Sequence, residues 1–136
     1  MPELPKAFPG GEGWSFCSWI RIESFEDAER RANYFPFVFD LKANPTTGIE
    51  AFFCNGAFVV QVKANKTKKV SAVFKHKFTT DRWYFVAISH VYHFIRRSEV
   101  SLYVDGVLIS TEPLIYPKTD KVPTARISLP HSHHHY

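Results

Sequence analysis

Apolar residues recur along this chain with a period of two, the spacing of a strand that buries one face. In GWSFCSWIRIE, Trp14, Phe16, Ile20 and Ile22 alternate with Ser15, Cys17, Arg21 and Glu23. Trp19 breaks that parity, which predicts a bulge or a second covered face. YFPFVFDLK sets Phe35, Phe37, Phe39 and Leu41 on one side. IEAFFCNGAFVVQVKA reads as two strands around Asn55-Gly56, because Asn-Gly supplies the positive φ angles of a type I′ hairpin turn. VSLYVDGVLIS repeats the device at Asp105-Gly106, with Val100, Leu102 and Val104 before the turn and Val107 and Ile109 after it.

Strands near 70–78, 82–94 and 125–129 bring the set to about nine or ten, and short strands separated by turn signals predict a sandwich or barrel. In DRWYFVAISHVYHF, Trp83, Phe85 and Ala87 share one face while Tyr84, Val86 and Ile88 share the other. This strand is therefore expected to be central, covered on both sides, with its aromatics in the core. The helical exception is SFEDAERRAN. Ser24 and then Asp27 resemble a helix N-cap with an acidic third position, so at most one short helix is expected near 24–33.

Composition narrows the class. The chain has 136 residues, 45% hydrophobic and 16% aromatic with 13 Phe and one Met, which predicts a single packed, strand-rich domain. The expected division is an extension over 1–10, the sandwich over 11–130 and a His-rich tail over 131–136. His131, His133, His134 and His135 read as a tail rather than a metal site. There is no apolar run of about 18 residues, and MPELPKAFPGGEGWS lacks the layout of a signal peptide. A cytoplasmic location is expected, with peripheral contact to membranes as a further option. Cys17 and Cys54 are expected to be free, buried thiols in strands, since two cysteines make no disulfide framework.

The sequence offers little chemistry. A glycosidase needs paired carboxylates on neighbouring strand positions, whereas Glu23, Glu26, Asp27 and Glu29 cluster in the expected helical turn. No Ser-His-Asp or Cys-His pairing is placed credibly. A calcium site gathers several oxygen ligands on one rim, but Asp40, Asn44, Asp105 and Asp120 are scattered. His90 and His93, three apart on a strand, point to opposite faces and do not share a metal. No cofactor, catalytic residue or metal ligand is assigned.

Charge is the remaining feature. VKANKTKKVSAVFKHK holds Lys63, Lys66, Lys68, Lys69, Lys75 and Lys77 without an acidic residue, and the whole chain carries a formal net charge of +4. Such a hairpin suits an anionic lipid headgroup or an acidic protein patch. The plain alternative is a solvated edge whose lysines prevent strand-to-strand aggregation. Nucleic acid is disfavoured, because the exposed aromatics needed to stack on bases are not interleaved with these lysines.

Two segments also carry a resemblance. Trp83-Tyr84-Phe85-Val86-Ala87-Ile88 followed by Val100-Ser101-Leu102-Tyr103-Val104-Asp105-Gly106 resembles the paired strands of concanavalin A-like and laminin G-like domains. RWYFVAISHVYHFIRRSEVSLYVDGVLIS, read with GWSFCSWIRI, is similar to the concanavalin A-like domain of BEACH proteins, the neurobeachin and lipopolysaccharide-responsive beige-like anchor group. The similarity covers roughly 11–129 and is most specific over 82–110, while FPFVFDLKANPTTGIEAFF departs most. The resemblance implies an all-β, concanavalin A-like jelly-roll sandwich of two antiparallel sheets, in a large cytosolic scaffold of vesicle trafficking, with no catalytic activity. Trp14, Trp19, Trp83, Asn55, Gly56, Asp105 and Gly106 are then the fold-defining residues, with Trp83 plugging the core.

These readings favour a non-catalytic interaction module, monomeric by itself, that binds a protein partner or an adjacent domain of its parent chain. One rival is a metal-independent oligosaccharide-binding domain using Tyr92, Tyr103 and Tyr116 as stacking aromatics. The other is anionic-lipid contact through the lysine hairpin.

Overall fold

The computed structural model describes residues 11–23, 37–44, 46–117 and 124–126. The expected 24–33 helix, the 1–10 extension, the 131–136 tail and the end of the 125–129 strand lie outside the described residues.

Nine strands are described: β1 (Gly13–Arg21), β2 (Phe37–Asn44), β3 (Thr47–Cys54), β4 (Ala57–Lys63), β5 (Lys69–Phe74), β6 (Trp83–Val91), β7 (Glu99–Val104), β8 (Val107–Pro113) and β9 (Thr124–Arg126). They form a four-stranded sheet in the order β1-β6-β7-β8 and a five-stranded sheet in the order β5-β4-β3-β2-β9. Every pairing is antiparallel. The two hairpins form where expected. Asn55 and Gly56 have φ of 50° and 78°, and Asp105 and Gly106 have 51° and 82°, the left-handed pair a type I′ turn needs. Asp105 adds a side-chain tie, since its Oδ1 accepts from the Phe85 N–H at 2.9 Å.

The core is built from one face of each sheet. Ile20, Val86, Ile88, Val100 and Leu102 meet Phe39, Ile49, Phe53, Phe58, Val60 and Phe74, all out of water. Tyr84, at the start of β6, packs through Phe78 against Phe53 and Phe58 beside the Asn55–Gly56 turn. Six residues later His90 packs through Trp14 against Phe39. β6 therefore runs from the Asn55–Gly56 end of the sandwich toward the other end. That direction fixes which loops share an end.

Close approach limits one strand junction. A Cβ on Gly48 would run into the Leu41 carbonyl oxygen and would sit 3.0 Å from the Lys42 Cα. Only glycine lets β2 and β3 pair this tightly beside the irregularity between Lys42 and Asn44.

Three expectations need correction. Trp19 causes no bulge, because the β1–β6 register is unbroken from Gly13 to Arg21. Trp83 does not plug the core: it is 53% exposed, and Tyr84, Val86, Ile88 and His90 are the residues of β6 that face inward. Strand period made the two faces of β6 alternatives, and the sandwich buries only one of them. Cys17 is exposed rather than buried, and Cys54 is half-buried, both as free thiols.

Candidate functional site

The outer face of the four-stranded sheet follows from strand register. Residues of odd number on β1, β6 and β7 point away from the core, so their side chains form rows across the strands. One row is Ser15, Ser89, Ser101 and Thr111, and the next is Cys17, Ala87, Tyr103 and Leu108. Trp19 and Phe85 come next, then Arg21 and Trp83. The apolar rows are open to water: Trp19 is 58% exposed, Trp83 53% and Leu108 50%. Trp19 and Phe85 meet edge-on with ring centroids 5.3 Å apart, so the indole is held in place rather than free to swing.

Charged side chains rim this patch in pairs. Arg21 bonds Asp81 at 3.0 Å and Glu23 at 3.2 Å, and Arg82 reaches Asp105 at 3.3 Å. The Arg82 guanidinium also lies over the Tyr84 ring, 4.7 Å from its centroid. Ser101 and Thr111 hydroxyls bond each other at 2.8 Å on the far row. An apolar aromatic centre inside a polar, charge-balanced rim is the anatomy of an interaction surface.

The stacking candidates divide. Tyr103 lies on this face, one row from Trp19 and Phe85. Tyr92 and Tyr116 pair with each other elsewhere, centroids 5.6 Å apart, and Tyr116 also packs on His90 at 4.9 Å. Burial pushes the Tyr116 phenol up to about 12, which marks a packed ring rather than an open platform. His90 is fully buried, its Nε2 3.0 Å from the Leu114 carbonyl oxygen. Its Nδ1 has no hydrogen-bond partner among the described residues. Burial pushes its imidazole below the ordinary value, against the smaller opposing effect of that carbonyl. His93 sits outside β6, in the loop after it. The two histidines are therefore separated, and among the described residues no group of three or more His, Cys, Asp and Glu is placed to hold a metal.

The six lysines also divide. Lys63 at the end of β4, Lys66 and Lys68 in the turn after it and Lys69 at the start of β5 lie at one end of the sandwich, whereas Lys75 and Lys77 follow β5 at the opposite end. Lys63 pairs with the buried Glu50 at 3.4 Å. Asn65 Oδ1 accepts from the backbone N–H groups of Thr67 and Lys68, both at 2.9 Å, and so fixes the turn that exposes Lys66 and Lys68.

The aromatic face escaped sequence reasoning, which assigned Trp83 and Phe85 to a covered surface. The signal was the parity break at Trp19. An aromatic residue on the polar side of an alternating strand marks that side as more than a solvated one.

Two antiparallel sheets with a shared core, joined by these tight hairpins, define a concanavalin A-like, laminin G-like sandwich. A laminin G-type family model described as Concanavalin A-like lectin/glucanases superfamily matches residues 2–131, and the chain belongs to that family. It is similar to the BEACH domain-containing protein lvsE of Dictyostelium discoideum, 32% identical over 118 residues, 87% of this chain and 5% of that protein. A putative neurobeachin homolog of Caenorhabditis elegans is 26% identical over 91% of the chain and 5% of its own length. BEACH domain-containing protein B of Arabidopsis thaliana is 29% identical over 93% of the chain and again 5% of its own length. The chain thus spans about a twentieth of the length of the curated relatives it matches. No helix among the described residues is long and apolar enough to cross a membrane.

Proposed function

We propose that this chain is a non-catalytic docking domain of a large BEACH-type scaffold, seated through its aromatic sheet face on an adjoining part of the same polypeptide. The observation that carries this is the patch of Trp19, Phe85, Trp83 and Leu108 on adjacent rows, a hydrophobic centre bounded by charge pairs. The occupant follows from length. The relatives extend far beyond the matched region, so the nearest supply of apolar surface is their own chain. The setting in vesicle trafficking rests on the resemblance to that group.

Cys17, exposed on the same face, reports occupancy. Its alkylation rate and the oxidative footprinting of Trp19 and Trp83 are to be compared in this chain alone and in the full-length parent protein. Both are expected to fall several-fold in the parent. Equal reactivity in the two would sink the docking reading.

One observation favours a second reading. The exposed indoles lie on one face with a row of hydroxyls at Ser15, Ser89, Ser101 and Thr111, which suits stacking and hydrogen bonding to an oligosaccharide without metal. Indole-ring shifts of Trp19 and Trp83 on titration with a small oligosaccharide panel would favour it; flat titrations would remove it.

A further inference from the structure

The β6–β7 loop shows a different surface. At its tip Phe94 is 86% exposed and Ile95 96% exposed, two adjacent apolar side chains standing almost wholly in water. The loop beneath them is built, not slack. Ser98 is buried and its Oγ accepts from the His93 N–H at 3.1 Å, while its carbonyl accepts from the Leu114 N–H at 2.9 Å. The Tyr92 N–H donates to the Glu12 carbonyl at 2.9 Å, and Arg96 reaches the His93 ring at 3.3 Å and Glu99 at 4.0 Å. A fixed base thus holds Phe94 and Ile95 outward, with Arg96 and Arg97 exposed directly beside them.

Loop and lysines share an end. β6 runs away from the Asn55–Gly56 turn, and β4 also ends far from that turn, since Lys63 pairs with Gly48. Lys66 and Lys68, exposed in their Asn65-bonded turn, therefore project from the same end of the sandwich as Phe94, Ile95, Arg96 and Arg97.

We propose that this end of the domain is a membrane contact that inserts Phe94 and Ile95 into the boundary of an anionic bilayer. Arg96, Arg97, Lys66 and Lys68 would bind the lipid phosphates and carboxylates around it. Charge complementarity selects this occupant. On the aromatic sheet face Arg21 and Arg82 are matched by Asp81, Glu23 and Asp105, as a protein interface requires. At the loop end, Arg96 and Arg97 follow a two-residue apolar protrusion directly and Lys66 and Lys68 project from the same end; among the described residues only Arg96 of these four has an acid partner, Glu99, at the long distance of 4.0 Å. An apolar tip beside cations at one end of a domain is a layout suited to interfacial insertion, in which arginine stems cross the boundary and their heads stay at headgroup depth. A convex tip of this kind has no need of a complementary cavity.

The test uses the chain as it stands. Its co-sedimentation is measured with vesicles of phosphatidylcholine alone and of phosphatidylcholine and phosphatidylserine in equal parts. Binding is expected to the anionic vesicles and to fall as salt rises. The exposed double variant Phe94→Ser/Ile95→Ser, which removes no core contact, is expected to weaken that binding by about tenfold or more. Arg97→Gln is expected to weaken it about fivefold. A Phe94→Trp variant adds a direct readout, with blue-shifted emission and quenching by brominated acyl chains. Anionic binding that survives the Phe94→Ser/Ile95→Ser change, unquenched emission at position 94, or no vesicle binding at all would each overturn the proposal. The last outcome would leave the tip as a protein plug.

Discussion

The outer faces of the two sheets differ although both belong to strands of similar pattern. On the five-stranded sheet, Glu50 and Phe52 of β3 and Val59 of β4 point away from the core yet are buried. On the four-stranded sheet the equivalent outward positions carry larger aromatics, Trp19 and Trp83, which are more than half exposed. An outward apolar residue is therefore no sign of a functional surface until its accessibility is known. The lesson is that the back of the sandwich is closed over β3 and β4, although Val73 of β5 is 48% exposed, whereas the front leaves its larger aromatics open.

Four experiments test that contrast. The largest effect belongs to the closed face. Phe52→Ala is expected to cost about 3–5 kcal/mol in chemical denaturation, as for other buried phenylalanines. Trp83→Ser should cost far less, about 1 kcal/mol, because more than half of the residue is already in water. Equal costs would erase the distinction between the faces.

Gly48 lies on the closed side, and Gly48→Ala is expected to destabilise by about 1–3 kcal/mol, since the new methyl group would press on the backbone of β2. A neutral result would mean that β2 and β3 separate freely there.

The third test concerns the core between the faces. His90 folds with its imidazole pushed below the ordinary value of 6.5, so the unfolded chain takes up a proton more readily than the native one. Its contribution to stability is complete above about pH 6.5, is lost progressively as pH falls toward the lowered native value, and changes no further below that. Denaturation midpoints should therefore drop between neutral pH and pH 5. His90→Gln should flatten that slope even if it lowers stability throughout. An unchanged slope would assign the acid sensitivity to other groups.

The smallest effect is chemical. Cys17 on the open face should react with a maleimide in the native state faster than half-buried Cys54. The reverse order would mean that the front is shielded in the isolated chain.

Local elements were legible from the chain alone. Period-two alternation and the turn dipeptides at Asn55-Gly56 and Asp105-Gly106 suffice for the hairpins, because positive φ at two successive positions is a demand that few residue pairs meet. The antiparallel sandwich and the family were legible from the same residues with the Trp83–Gly106 segment. Which face of β6 looks inward was not legible. Trp83-Phe85-Ala87 and Tyr84-Val86-Ile88 are both apolar, so period alone leaves a tie, and only the seating of Tyr84 on Phe78 and of His90 on Leu114 decides it. The lysines could be counted in the sequence, but strand direction split them between two ends of the sandwich. The exposed Phe94-Ile95 tip looked like the continuation of a strand until β6 ended at Val91. Pattern is a property of neighbours in the chain, whereas exposure is a property of neighbours in space, and only the packing of the sheets supplies the latter.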